Sequence, residues 1–177
     1  MSDDTLKLDL RDQIRDVPDF PKPGILFKDI TPLLLNPSAF RLCIEKLCAP
    51  WYHTEPDVIV GIEARGFIFG AAMAVQMGIP FVPIRKSGKL PWKTRSRTYS
   101  LEYGEDTVEI HEDAVQPGQK VLLVDDLLAT GGTMGAAIRL VQDLGGEVIE
   151  ALFVVELKDL AGRDKLPDVP VRSILTY

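Results

Sequence analysis

Residues 121 to 133 read "VLLVDDLLATGGT": an apolar run, two adjacent carboxylates, Asp125 and Asp126, and then a short loop of small and hydroxyl side chains. An apolar run without alternation marks a strand buried on both faces, as in parallel sheets covered by helices on either side. In such sheets ligands collect at the carboxyl ends of the strands, and here that end carries the acidic pair and the loop. The loop can curl because Gly131 and Gly132 tolerate unusual backbone angles, while Thr130 and Thr133 supply hydroxyl donors. A helix expected to begin at or just after Thr133 would aim its free N–H groups and its dipole into the loop. These features together make an anion site of phosphate type.

The carboxylates need a different partner, because they accept hydrogen bonds and repel phosphate. A ribose 5-phosphate has the matching polarity, with phosphate at one end and a vicinal diol a short distance away. The common nucleotide loops do not compete for the segment, since the chain contains neither G-x-x-x-x-G-K-[ST] nor G-x-G-x-x-G.

Outward from this stretch, strand and helix patterns alternate. "DVIVGI" (57–62), "PFVPIRK" (80–86) and "EVIEALFVVEL" (147–157) read as strands. "GFIFGAAMAVQMG" (66–78) and "TMGAAIRLVQDLGG" (133–146) read as helices closed by glycine. Strands separated by helices of this length predict an α/β fold with a central, mostly parallel sheet and helices on both faces. "TYSLEYGEDTVEIHE" (98–112) predicts two short strands joined by a glycine-containing turn, a β-hairpin projecting from the sheet as an arm. At the N-terminus, Leu6, Leu10, Ile14 and Val17 fall at helical spacing and predict a short amphipathic helix stopped by Pro18. The five prolines of residues 18–37 imply a fixed, extended path, and Asn36-Pro37 opens a further helix.

The 177 residues suit one domain, 1–177, with a core that needs no staples. Acidic side chains outnumber basic ones, 26 to 20, which disfavours broad binding to nucleic acid or anionic membrane and requires any anionic ligand to meet a local basic patch. Residues 85–97, "RKSGKLPWKTRSR", provide one, with six basic side chains and no acid. Cys43 and Cys48, five apart in a helical pattern, suit neither a metal site nor a disulfide and read as buried thiols. With no signal-like N-terminus and no apolar run long enough to span a membrane, the expected location is cytoplasmic. His53 and His111 match no motif and are taken as structural or surface residues.

Residues 121–133 closely resemble the phosphoribosyl-pyrophosphate signature of the type I phosphoribosyltransferases. Further segments resemble the members of that family that use adenine: "DFPKPGILFKDITPLL" (19–34), "EARGFIFG" (63–70), "IRKSGKLP" (84–91), "YSLEYG" (99–104) and "GRDKL" (162–166). The resemblance implies the family fold, with an N-terminal base-binding hood (1–35), a basic loop and flexible lid hairpin (85–112) and the signature at 121–133. It implies transfer of the 5-phosphoribosyl group from phosphoribosyl pyrophosphate to N9 of adenine, giving AMP and pyrophosphate.

Residue by residue, it implies Asp125 and Asp126 at the ribose hydroxyls and Ala129, Thr130, Gly131, Gly132 and Thr133 around the 5-phosphate. Arg65, Arg85 and Lys89 would contact pyrophosphate, part of that set reaching across a homodimer interface. Leu26, Phe27 and Leu127 would form the adenine pocket, Phe27 stacking on the purine, and Glu102 would be the acid/base at N7. Where the family often has arginine, this chain has Lys28, a point charge in place of a planar fork, and its role is open. Mg2+ is the implied cofactor, held mainly by substrate oxygens and water. Two other readings compete: a sensor that binds phosphoribosyl pyrophosphate without chemistry, and a phospho-receiver domain, disfavoured because only about 50 residues follow Asp126. Another purine specificity, xanthine for instance, is the nearest enzymatic alternative.

Overall fold

The computed structural model describes residues 8–54, 56–100 and 104–177. The chain divides into two compact units, Met1–Lys46 and Leu47–Tyr177.

The first unit corrects the expected N-terminal helix. Leu6 lies outside the described residues, and the first described element is a single 3-10 turn, Leu10–Gln13, with Asp9 accepting a hydrogen bond from the Arg11 N–H. The chain then extends into β1 (Arg15–Pro18), antiparallel to β2 (Leu26–Asp29), with Val17 opposite Phe27. Pro18 disfavours helical backbone at Val17, and the strand partner satisfies the backbone groups a helix would have paired internally. The proline-rich stretch has no long element, but it is not extended throughout: α1 (Thr31–Leu35), with Pro32 in its first turn, is a short helix followed at once by α2 (Pro37–Cys48). Asn36 opens α2 by accepting from the N–H groups of Ser38 and Ala39, at 3.1 and 3.2 Å. Cys43 and Cys48 on this helix are both buried, free thiols; burial pushes them up to about 12 and about 11.

The second unit holds the sheet: β3 (Val58–Ile62), β4 (Phe81–Lys86), β5 (Thr94–Ser100), β6 (Glu105–His111), β7 (Lys120–Leu128), β8 (Glu147–Glu156) and β9 (Val171–Thr176). Their order is β5-β6-β4-β3-β7-β8-β9. Strands β4, β3, β7, β8 and β9 run parallel, so the mostly parallel sheet stands as predicted. Alternation sends neighbouring side chains to opposite faces. Val58, Val60 and Ile62 of β3 join Val121 and Leu123 of β7 beneath the apolar stripe of α4 (Gly132–Asp143). On the other face, Ile59 and Gly61 meet α3 (Gly66–Met77), where Gly70 would have no room for a side chain against the Phe81 ring.

The hairpin is not a free arm. Its second strand is rooted in the sheet, β6 pairing with β4 through Arg85 opposite Glu109 and Lys86 opposite Val108. Its first strand is tied to the end of α4: both guanidinium arms of Arg97 meet the Asp143 carboxylate at 2.9 Å, and Arg95 donates to the Asp143 carbonyl. Cations at a helix C-terminus complement its dipole. Two members of the basic run are therefore occupied in folding the hairpin down.

Candidate active site

Helix α3 carries the chain from β3 outward to β4, and α4 carries it from β7 in the opposite direction to β8. The winding thus reverses between β3 and β7, and the carboxyl ends of those two neighbours border a crevice. The β3 side supplies Glu63, Ala64 and Arg65, joined by a cis bond between Glu63 and Ala64. The β7 side supplies Asp125 through Thr133.

Beyond β7 the loop turns at Gly131, whose φ of 80° belongs to the left-handed region, and α4 starts at Gly132 with no side chain capping its first turn. The N–H groups there are left to face a ligand. A concavity of about 80 Å³ lies over them, lined by Asp125 and by Leu127 through Met134. An adjoining hollow of about 350 Å³ shares Asp125, Leu127 and Thr133 and adds Glu63, Arg65, Lys86, Tyr99, Asp106 and Asp126. The smaller compartment opens onto the start of α4, and the larger is lined by carboxylates together with two cations, Arg65 and Lys86.

The carboxylates are held differently. Asp126 is buried and meets Arg65, Nε to Oδ2, at 2.5 Å. Asp125 accepts the Asp126 backbone N–H at 2.8 Å; burial first, and then the Asp126 charge, push its carboxyl well above the usual carboxylate range. Such close approach of α3 to β7 is possible only because residue 66 is glycine: a Cβ there would lie 2.7 Å from the Val124 carbonyl oxygen and 2.9 Å from Asp125 Oδ1.

The expected site residues assemble in part. Arg65, Asp125, Asp126, Leu127 and Thr133 share the larger hollow, and Ala129, Thr130, Gly131 and Gly132 line the smaller. Arg85 and Lys89 line neither. Arg85 instead forms a two-pronged pair with Glu63, at 2.9 and 3.3 Å, and donates to the Lys89 carbonyl. Hydrogen bonding from Arg85 holds the Glu63 carboxyl below the usual range. Glu102 lies outside the described residues. Leu26 and Phe27 sit on β2 of the first unit, where Phe27 packs edge-on against Phe20 at 5.2 Å.

Three further lining residues have no role assigned from the sequence, although Lys86 falls within "IRKSGKLP" and Tyr99 within "YSLEYG". Lys86 pairs with Asp106 at 3.1 Å; the Tyr99 hydroxyl accepts from Thr133 Oγ1 at 3.0 Å and reaches Asp106 at 3.4 Å. Period-two alternation could have found Lys86, since Arg85 and Lys86 on one strand must face opposite ways. Tyr99 and Asp106 carry no such signal; they reach the site through the fold of the hairpin.

The donor set suits a hard cation only in a supporting role. Among the described residues no three His, Cys, Asp or Glu side chains cluster to hold a metal, yet Asp125 and Asp126 put carboxylate oxygens beside the hollow. That arrangement fits Mg2+ held largely by substrate oxygens and water.

A crevice at a winding reversal, bordered by an acidic pair and by the glycine turn into α4, is a ligand site of the kind found at the carboxyl ends of parallel strands. The family model described as "Phosphoribosyl transferase domain" matches residues 38–175, and the chain belongs to that family. The chain is 53% identical over 175 residues to an adenine phosphoribosyltransferase of Bradyrhizobium sp. (strain ORS 278), covering 98% of each. The crystal structure of adenine phosphoribosyltransferase from Rhodothermus marinus superposes with a TM-score of 0.90 at 53% identity, over 95% of this chain and 96% of that one. The Saccharomyces cerevisiae enzyme, solved with an imino-altritol bisphosphate and adenine, gives 0.89 at 42% identity, over 94% and 96%.

Proposed function

We propose that the chain, acting as one phosphoribosyltransferase domain over 1–177, transfers the 5-phosphoribosyl group from phosphoribosyl pyrophosphate to N9 of adenine, giving AMP and pyrophosphate. The observation that carries this reading is the juxtaposition of Asp125 and Asp126 with the anion loop Ala129–Thr133 in adjoining compartments. The names of the full-length relatives support adenine as the base.

The loop N–H groups and the Thr130 and Thr133 hydroxyls receive the 5-phosphate, and the acidic pair accepts the ribose hydroxyls. With both ends of the sugar held, C1 is presented to the base at a fixed position. The bond from C1 to the pyrophosphate oxygen breaks as the bond to N9 forms, and the purine gives up a proton. Arg65, with Arg85 and Lys89, stabilises the charge gathering on pyrophosphate. Glu102, as a carboxylate, takes the proton that leaves N7 as N9 bonds to C1, and the hairpin keeps water from the cationic sugar. Leu26, Phe27 and Leu127 hold the adenine, Phe27 by stacking. Asp125 and Asp126 would help to hold Mg2+, which would supply further charge neutralisation to pyrophosphate.

The working form is a homodimer in the cytoplasm; buried, unpaired Cys43 and Cys48 suit a reducing compartment, and among the described residues no helix is long and apolar enough to cross a membrane. Sedimentation showing a monomeric active species would contradict the dimer. The reaction is tested in reverse: AMP and pyrophosphate with Mg2+ should release free adenine, seen by chromatography, and Glu102→Ala should slow that release far more than it weakens AMP binding. Failure of the wild-type protein to release adenine would remove the assignment.

A further inference from the structure

"GRDKL" (162–166) resembles the family but has no part in the chemistry above. In the fold it lies against the back of the phosphate loop. A Cβ on Gly131 would come within 2.2 Å of the Gly162 carbonyl oxygen, and a Cβ on Gly162 within 2.2 Å of the Ala129 carbonyl oxygen. The two backbones are interlocked at the loop's start and at the turn into α4. Further along the segment, the Lys165 carbonyl oxygen would lie 3.3 Å from a Cβ on Gly135, in the next turn of the same helix.

The segment is held there by an anchor that lines neither ligand compartment, although Glu156 lies opposite Leu128 on the neighbouring strand. Glu156, 4% exposed at the end of β8, takes both arms of Arg163 at 2.5 and 2.6 Å and the Ser173 hydroxyl at 2.7 Å. Arg163 also donates to the Val171 carbonyl of β9. A paired, multiply hydrogen-bonded buried carboxylate has one well-defined geometry, and removing its partner leaves an uncompensated charge.

The geometry points to Glu156 and Arg163 as positioning residues: their pair fixes Gly162 against Gly131 and so presets the loop Ala129–Thr133 for the 5-phosphate. This inference rests on the phosphate role proposed for that loop. Preorganisation places its effect on phosphate affinity, because a loop that must first order itself binds more weakly.

Ribose 5-phosphate binding by calorimetry tests it without requiring catalysis. Arg163→Ala should weaken binding by at least about tenfold, with Arg163→Lys, which keeps the charge but not the two-pronged contact, falling between it and wild type. Arg172→Ala is the comparison. It removes another ion pair between β8 and β9, Arg172 with Glu150 at 3.1 Å, and should leave binding within about twofold of wild type. If Arg163→Ala does not fold, Glu156→Gln replaces it, with the same expected loss. Unchanged binding in the Arg163 or Glu156 variant, or an equal loss in Arg172→Ala at matched thermal stability, would overturn the inference. Wild-type protein that binds ribose 5-phosphate but makes no AMP would instead sink the enzymatic reading and leave the positioning role standing on its binding data.

Discussion

Arg65 Nε rests 2.5 Å from Asp126 Oδ2, a half-exposed guanidinium against a buried carboxylate. The residue proposed for pyrophosphate is thus paired with a residue proposed for the ribose. A substrate that brings both a diol and a pyrophosphate offers each of them a new partner, so the pair can open without leaving either charge bare. Arg65→Ala should lower kcat/KM for phosphoribosyl pyrophosphate by about 100-fold. Arg65→Lys should recover little of it, a point charge being a poor substitute for a planar fork. Steady-state kinetics with the base saturating would show this; a near-normal lysine variant would mean that charge alone suffices.

Asp125 stands in a costly environment. Burial and then the Asp126 charge raise its carboxyl well above the ordinary value of 3.8. A carboxyl so raised binds its proton more tightly when folded, so stability declines as pH rises from that ordinary value through the folded one, and the ionised form weakens the fold at neutral pH. Asp125→Asn keeps an oxygen for the Asp126 N–H and removes the charge. It should melt higher than wild type at pH 7, by roughly 2–4 °C for about 1 kcal/mol, with the gap closing below pH 3.8, while AMP formation is lost. A lower melting point at pH 7 would show that the charge is stabilised by something other than its present neighbours.

Gly66 is a spatial requirement. A methyl group there meets two β7 groups at under 3 Å, one of them a backbone carbonyl that cannot turn away. Gly66→Ala should destabilise by about 1–3 kcal/mol and disturb Asp125, reducing turnover together with stability. Chemical denaturation and kinetics on the same preparation would separate the two; full stability and activity would mean that α3 moves away from β7 freely.

The basic run divides by partner. Arg97 is committed to Asp143 at the end of α4 and does not itself line the hollow. Arg97→Ala should therefore leave KM for phosphoribosyl pyrophosphate within about twofold, while Lys86→Ala, which removes a lining charge, should raise it by about tenfold or more. A tenfold rise in the Arg97 variant would place the whole run at the substrate.

The parallel sheet and the glycine turn into α4 are legible in the sequence because their signals are local: unbroken apolar strands, glycines after helices, and hydroxyls and glycines between Asp126 and the next helix. The N-terminal spacing misleads because Leu10, Ile14 and Val17 fit a helical period, yet Pro18 and the pairing of β1 with β2 favour extension. Tyr99 and Asp106 do not stand out because their position depends on β5 pairing with β6 and on β6 joining β4, a pairing between segments about 20 residues apart. The interlock of Gly131 with Gly162 is more remote still. A motif such as "GRDKL" shows that something is needed there, but only packing shows that the need is for absent side chains.

The most direct test offers purified protein phosphoribosyl pyrophosphate and Mg2+ with adenine, hypoxanthine, guanine, xanthine or uracil in separate reactions and measures nucleoside monophosphate by chromatography. AMP from adenine, with little or no product from the other bases, is the predicted result. No nucleotide from any base, with phosphoribosyl pyrophosphate still bound, would contradict it and make the Asp125–Thr133 segment a binding site without chemistry.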